Sequence, residues 1–404
     1  MQRGSFQGMK TLNKSIILTK ILNDGPISRA QIAKETNLTP PTVGSLVKEL
    51  LERKIVIESA QGTSQGGRKP TLLVVNEQAF YIVGVDAGPS GIEAIFTNLS
   101  GEILAEASVE LSTNNTKESF LAELVNVIEK VISKEPKLTK QIIGIGVAMH
   151  GVVDAEEGEA LFAPNLHLRD IPIKETLMNH FPYMVKVEND ARALALAETW
   201  FGQGKDLDRL VVVNVGTGVG AGLVINKELY HGQAFIAGEI GHMIIDIHGE
   251  RCACGNRGCL QTVISGPAIV RRAKQQLKKG VTSTLQSIVE QEEEITAVTI
   301  FQEAQAGDEF AQQVFSDTGV YIGIGLTNVI HTINPTKIVL TGGVSKAGEY
   351  LLPTITSTVK DRALTEEAKE TKIVLSDLGD QSTCLGAVAL VLVELFAKNG
   401  EVIV

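Results

Sequence analysis

Cysteine is nearly absent from this chain, with four in 404 residues. The start, MQRGSFQGMKTLNKS, also lacks the apolar core of a secretory leader. Together these absences exclude a disulfide scaffold and point to a reducing cytoplasm. Long apolar runs are missing as well. The run AVALVL, Ala387 to Leu392, is far too short to cross a bilayer, so no membrane role is expected. No low-complexity stretch occurs, and most of the 39 glycines fall at strand ends and turns. What remains is an ordinary globular composition, 44% hydrophobic and 21% charged, in a chain long enough for two or three domains.

Charge is not evenly spread. Residues 1 to 70 carry eleven Lys and Arg against five Asp and Glu, whereas the remaining 334 carry 26 against 42. A basic head on an acidic body reads as an anion-binding module joined to something else. In the head, LNKSIILTKIL (Leu12 to Leu22) has helical apolar spacing and stops at Asp24-Gly25-Pro26. Ser28 is placed to cap RAQIAKETN, with Ile32 and Ala33 inward. Thr39 is placed to cap PPTVGSLVKELLERK, whose Pro40 and Pro41 fall where a missing N–H costs little. Val43, Leu46, Val47, Leu50 and Leu51 form the buried stripe of that helix, and Thr42, Ser45 and Lys48 lie opposite.

Two short helices across a tight turn make a helix-turn-helix, the second presenting small polar and basic side chains to a major groove. IVIESAQGTSQGGRKPTLLVVN then reads as two strands with a Gly-rich tip, a wing. Arg68 and Lys69 at that tip suit phosphates or a narrow minor groove. The expected DNA contacts are Ser28, Arg29, Pro41, Thr42, Ser45, Lys48, Arg68 and Lys69. A protein-docking helical bundle is the alternative reading of the same head.

The body alternates hairpin strands, helices and further strands twice. YIVGV, Gly91 to Leu99, GEILAEASVEL, LAELVNVIEKVISK and IIGIGVAM form one series. RLVVVNVG, GAGLVIN, YIGIGLTNVIHTI, KIVLTGG and CLGAVALVLVELFAK form the other. That is an α/β duplication with a cleft between its halves, in which Gly-rich hairpin turns can hold phosphates.

Three of the four cysteines crowd into one stretch, GHMIIDIHGERCACGNRGCLQ, residues 241 to 261. Cys252, Cys254 and Cys259 with a histidine suit tetrahedral Zn²⁺, and Gly255 and Gly258 allow the tight reversal between ligands. The nitrogen ligand is His242 or His248. A C-x-C pair is sterically poor for a disulfide. Four protein ligands leave no open position, so one structural zinc per chain is expected. Cys384, in an apolar helix, reads as a buried core thiol.

These runs carry a resemblance. VGVDAG, PNL at 164 to 166, ENDARALALAE, NVGTGVGAGLVINKELYHG, GEIGHM, CACGNRGCLQ and LTGG resemble the ROK (repressor, ORF, kinase) family of sugar kinases and sugar-responsive repressors. Head and body together are similar to its repressor branch, of xylose-repressor type. The resemblance implies a two-lobed actin-like, ribonuclease-H-type body behind a winged helix-turn-helix. The expected divisions are 1–76 for the head, 77–188 with about 385–404 for one lobe, and 189–384 for the other. It prefers His242 as the zinc ligand. It implies sugar contacts from Asn165, Asn189, Asp190, Glu239 and His242, with Asp190 at the position that is the base in the kinases. An Asn-Asp pair before a helix is otherwise read as an N-cap. The family often has Glu after Cys-Leu as a further sugar contact, and this chain has Gln261 there.

The first phosphate loop also departs. The kinases read D-x-G-G-T-K, whereas Asp86-Ala87-Gly88 is followed by Pro89-Ser90-Gly91. Pro89 has no N–H to offer and Gly91 replaces a basic side chain. The expectation is therefore no kinase activity. A homodimer on a palindromic operator of double-stranded DNA, with a sugar effector, is expected instead. The alternatives are an ATP-dependent sugar kinase, and an anti-repressor or interaction protein without a sugar response.

Overall fold

In the computed structural model, which describes residues 6–61, 70–112, 115–290 and 295–396, helix α1 (Phe6–Asp24) opens the chain. It starts earlier than the apolar period and ends before Gly25-Pro26. The head continues through β1 (Ile27–Ser28), α2 (Arg29–Thr36) and α3 (Pro40–Glu52). Ser28 Oγ accepts the Gln31 N–H at 3.2 Å, and Asn37 closes α2 in the left-handed region at φ 58°. Thr39 Oγ1 accepts the Thr42 N–H at 3.4 Å, opening α3. Helix α3 buries Val43, Leu46, Val47 and Leu50, while Leu51, expected among them, is half-buried at the stripe's edge. Strands β2 (Val56–Gln61) and β3 (Thr71–Val75) pair antiparallel as the wing. Strand β1 adds to the far side of β3, a pairing too short to leave a sequence period. The wing tip, with Arg68 and Lys69, lies outside the described residues.

Glu49 pins α3 to α1. Lys14 Nζ stands 2.6 Å from one of its oxygens and Lys10 Nζ 3.0 Å from the other. These bonds, Lys14 first, bring its carboxyl down from 4.5 to about 2. The stabilisation is therefore present in full above the unfolded value near 4.5 and is lost as pH falls toward 2. Exchange to Gln at position 49 should cost the head about 1 kcal/mol at pH 7, discounted for partial exposure. Amide exchange in α1 and α3 reads this as faster opening at pH 7, with the difference from the unaltered chain shrinking below pH 4.

The body's first sheet uses β4 (Tyr81–Ala87), β5 (Gly91–Asn98) and β6 (Ile103–Glu110), then β7 (Ile142–Met149) after helix α4 (Lys117–Ser133). Strands β8 (Val152–Asp154), β9 (Glu159–Ala163) and β10 (Leu168–Ile171) form a separate small sheet, unforeseen in sequence. Helix α5 (Ile173–His180) and β11 (Met184–Asn189) follow. The five-stranded order is β11-β7-β4-β5-β6, with β4–β5–β6 an antiparallel meander and β4–β7 parallel. Central β4 and β7 are buried almost throughout, whereas edge strand β6 alternates, as a half-covered strand must. Helix α4 covers this sheet with Phe120, Leu124, Val127, Ile128 and Val131.

The second series begins with α6 (Asp190–Phe201), β12 (Arg209–Val215), β13 (Val219–Ile225) and β14 (Glu228–Leu229). Helices α7 (Gln261–Ile264), α8 (Gly266–Lys278), α9 (Leu285–Glu290), α10 (Ala297–Gln305) and α11 (Glu309–Ile333) follow. Strand β15 (Lys337–Thr341), α12 (Gly348–Arg362), α13 (Glu366–Lys369), β16 (Lys372–Leu375) and α14 (Ser382–Phe396) end the described chain. The sheet order is β14-β13-β12-β15-β16, again a hairpin extended by parallel strands. Two sheets of this plan make the actin-like, ribonuclease-H-type body.

By contacts the chain forms two compact units, Met1–Glu188 with Ala387–Val404, and Asn189–Gly386. Helix α14 begins in the second and finishes in the first. In the second unit Gly386 lies so close to α6 that a Cβ there would meet the Ala193 carbonyl at 2.2 Å. In the first, a Cβ on Gly146 of β7 would come within 1.8 Å of the Ala387 carbonyl. The α14 terminus is closed by the head: the Phe396 carbonyl accepts the Ser15 and Thr19 hydroxyls at 3.0 and 3.2 Å. Cys384 is buried in α14, as expected of a core thiol.

Candidate functional site

The chemistry of the second unit collects at one end of β13. Small residues let α6 lie close: a Cβ on Gly220 would stand 3.1 Å from Ala191 Cβ, and one on Gly222 2.4 Å from Ala195 Cβ. On the neighbouring residue Val219, the turn Ile240–His242 approaches so closely that a Cβ on Gly241 would meet its carbonyl at 2.2 Å. Gly238, at φ 94°, receives the Ala221 N–H at its carbonyl, 2.8 Å away. Ala191 follows Asp190, and Gly241 precedes His242. The close packing therefore brings Asn189 and Asp190 to the strand end that carries Glu239 and His242.

Asn189 is an N-cap in fact: its Oδ1 accepts the Arg192 N–H at 3.1 Å, and its Nδ2 donates to Asp190 Oδ1 at 2.8 Å. The Ala191 N–H also donates to Asp190 Oδ1, at 2.9 Å. The cap thereby orients the Asp190 carboxylate. Arg192, which sequence reasoning missed, is buried and donates from Nη1 to the Phe235 carbonyl at 2.8 Å. It ties α6 to the loop leading into Glu239. An arginine within the Ala-rich run ARALALAE was the available signal.

Glu239 and His242 are three residues apart on a 3₁₀ turn, and His242 Nε2 stands 3.9 Å from Glu239 Oε2. The other ring nitrogen faces sulfur: Nδ1 is 3.8 Å from Cys252 Sγ, and Cys254 Sγ is 3.7 Å from Cys259 Sγ. The four ligand atoms of His242, Cys252, Cys254 and Cys259 all lie within 4.8 Å of one another. Tetrahedral bonds of about 2.3 Å to sulfur put neighbouring ligands about 3.8 Å apart, so this set fits a metal ion. Burial, then the neighbouring sulfurs of Cys254 and Cys252, push the Cys259 thiol up to about 12. Three thiolates this close need a cation. His248, the rival nitrogen, is not in the cluster. The reversal between ligands runs through Gly255 (φ 96°) and Gly258 (φ 68°), where a Cβ would overlap the Asp246 carbonyl at 1.5 Å. Gln261 lies at the margin of the cluster, its Nε2 3.2 Å from Cys252 Sγ.

The two Gly-rich turns, expected from the sequence to face phosphates, differ in what they offer. In the first unit the Gly88 N–H is spent on the Gly91 carbonyl at 3.1 Å, and Pro89 has none. The second loop borders a cavity of about 710 Å³ lined by Thr217, Gly266, Pro267, Val270, Arg271 and Lys274, among others. Gly342, at φ 90°, serves a turn whose carbonyl takes the Ser345 N–H at 3.1 Å. Asn165 is exposed on the short turn Pro164–Leu166 of the first unit.

In the head, Pro41, Ser45 and Lys48 are exposed on α3, and Thr42 is half-buried with its hydroxyl 2.8 Å from that of Thr39. Ser28 caps α2, and the Arg29 guanidinium pairs with Glu58 at 3.1 Å.

Residues 82–394 match the model of the ROK family. The chain belongs to that family. Residues 16–57 match a winged helix-turn-helix DNA-binding model. The xylose repressor of Caldicellulosiruptor bescii is 34% identical over 394 residues, covering 98% of each chain. The N-acetylglucosamine repressor of Escherichia coli O6:H1 is 33% identical over 390 residues, covering 96% of this chain and 94% of that one. Among solved structures, a ROK family transcriptional regulator, homologous to the E. coli MLC protein, matches with TM-score 0.86 at 29% identity, covering 98% of both chains. No described helix is long and apolar enough to cross a membrane.

Proposed function

We propose that this ROK protein is a sugar-responsive, DNA-binding transcriptional repressor of carbohydrate-metabolism genes. One observation carries the reading: a winged head and a ROK body in one chain, matched almost end to end by two sugar-named repressors. It is not an enzyme. A kinase needs donors already aimed at the phosphates. Gly88 and Pro89 supply none, although the cavity beside Thr217 keeps its room. The division of labour we propose is 1–76 for DNA, and 77–188 with 385–404, and 189–384, for the body.

Ser28, Arg29, Pro41, Thr42, Ser45, Lys48, Arg68 and Lys69 are the proposed DNA contacts, with Ser45 and Lys48 facing bases and phosphates from α3. One winged head covers a half-site, so we propose a homodimer on a roughly palindromic operator. The ion held by His242, Cys252, Cys254 and Cys259 is zinc, since three sulfurs and one nitrogen in tetrahedral array favour it. It is structural, one per chain. Asn189, Asp190, Glu239 and His242 bind the effector, with the hydrogen-bonding capacity that adjacent sugar hydroxyls require. Zinc on Nδ1 leaves His242 Nε2 directed toward the Glu239 side. Gln261, and Asn165 on the sequence resemblance alone, complete the proposed set. The two repressor relatives name different sugars, xylose and N-acetylglucosamine, and these are the first two to try. The effector acts by binding one form of the protein better than the other. The resemblance to the repressor branch sets the expectation of release, which requires that the favoured form be the DNA-free one.

Lys48→Ala should weaken operator and random DNA alike and lower the salt slope by about one ion. Ser45→Ala should instead narrow the gap between operator and random sequence. Fluorescence anisotropy at several salt concentrations reads both. Unchanged binding in both variants would contradict the assignment of α3.

A further inference from the structure

Gln261 replaces the acidic residue expected of a sugar contact, and the structure gives its amide a different partner. Nε2 lies 3.2 Å from Cys252 Sγ, and Cys252 is itself buried. The contact is built in by its surroundings. Leu260 is buried and its N–H bonds the Met243 carbonyl at 2.9 Å. A Cβ on Gly325 of α11 would stand 2.5 Å from Leu260 Cδ2, so the Leu260 side chain packs directly against the bare backbone of that glycine. The next residue is held too, since Thr262 Oγ1 donates to the Cys259 carbonyl at 2.7 Å. Gln261 thus starts α7 from a fixed backbone, with its side chain over the metal ligands.

A metal-bound thiolate has only lone pairs to offer, so the amide must face it with N–H and turn Oε1 away. Zn²⁺ with three thiolates and a neutral imidazole carries a net charge of about −1, concentrated on sulfur. A neutral donor beside Cys252 disperses that charge. A carboxylate in the same place would repel it and leave the sulfur without a donor.

We infer that Gln261 is a positioning residue of the metal centre, donating to the Cys252 thiolate and holding it in place. The inference rests on the zinc reading above. It explains why the neutral amide is suited to this chain, and it moves the residue's main partner from the sugar to the metal. The acidic contacts of the sugar are then Asp190 and Glu239.

The test uses the full-length chain, in unaltered form and as Gln261→Ala and Gln261→Glu. Bound zinc is measured first, then its release to a colorimetric chelator with no sugar present. Donors to metal ligands typically govern metal affinity by roughly 10- to 100-fold, so Gln261→Glu should lose zinc faster by about that factor, with Gln261→Ala between. Cobalt-substituted protein adds a second readout. An N–H bond lowers the energy of the sulfur donor orbital, so its loss should move the sulfur-to-cobalt absorption to longer wavelength in Gln261→Ala. One zinc in all three chains, equal release rates and unmoved cobalt bands would overturn the inference. That holds also if the response to xylose or N-acetylglucosamine changes, because this pattern belongs to a sugar contact alone. An unaltered chain that holds no zinc and takes up none overturns the metal reading, and the inference falls with it.

Discussion

Cys259→Ser should empty the proposed zinc site and disable the proposed effector response. Cys259 is fully buried, and its position is fixed by a bridge to Ile244 and by the Ile245 N–H on the Gly258 carbonyl at 2.9 Å. Without the ion, buried thiols must regain protons and the reversal from Cys252 to Cys259 loses its common anchor. Structural zinc sites contribute folding free energy outright, on the order of 10 kcal/mol in small zinc peptides. In a unit with a large core of its own, the expected result is a local loss of several kcal/mol rather than global unfolding. Zinc content should fall from one per chain to near zero, and amide exchange from Met243 to Gln261 should rise sharply. Sugar binding should weaken by roughly 10- to 100-fold, because His242 loses the bond that fixes its ring. Cys384→Ser is the matched control, a buried thiol far along the chain that should keep the metal. A Cys259→Ser chain with full zinc content would refute the ligand set.

The second large effect is at Glu239. Its carboxylate and His242 Nε2 share one side of a 3₁₀ turn held against β13 by Gly238 and Gly241. Hydrogen bonds to a charged group are worth about 1.5–3 kcal/mol each, and a carboxylate spanning adjacent hydroxyls makes two. Glu239→Ala should therefore lower sugar affinity by about 100-fold or more, while operator binding without sugar stays unchanged. Asp190→Asn should lower it less, since the amide can still accept and donate. Calorimetric titration of sugar, paired with anisotropy on operator DNA, separates the two effects. Loss of DNA binding in Glu239→Ala would instead assign that residue to folding.

Much of this was legible in sequence because local rules and the global fold agree. Ser28 and Thr39 stand before their helices as caps, and the spacing of Val43, Leu46, Val47 and Leu50 matches one face of α3. The cluster of His242, Cys252, Cys254 and Cys259 was legible because tetrahedral sulfur chemistry constrains both residue type and spacing. Strands β8 to β10 escaped because three to five residues leave no usable period. The apolar spacing puts Leu51 in the core, but a single step beyond Leu50 carries it to the stripe's edge, where it is half-buried. Asn189 illustrates two readings that are not rivals: its Oδ1 caps α6 while its Nδ2 steers the Asp190 carboxylate. The partners of Arg192 and of Gln261 could not be read at all. Both depend on which distant loop the fold brings within reach, the Phe235 carbonyl in one case and Cys252 in the other.

The central claim is that one chain joins specific DNA binding to sugar binding. Its most direct measurement is fluorescence anisotropy of DNA from the promoter region of the chain's own gene, titrated with zinc-loaded protein. The titration is repeated with xylose, N-acetylglucosamine and a panel of other pentoses and hexoses. The account predicts a specific complex tighter than random DNA by about 10³-fold or more. It also predicts that one sugar of the panel dissolves that complex, and that Glu239→Ala abolishes the effect. Binding no tighter than to random DNA, or a specific complex that no sugar alters, would contradict it.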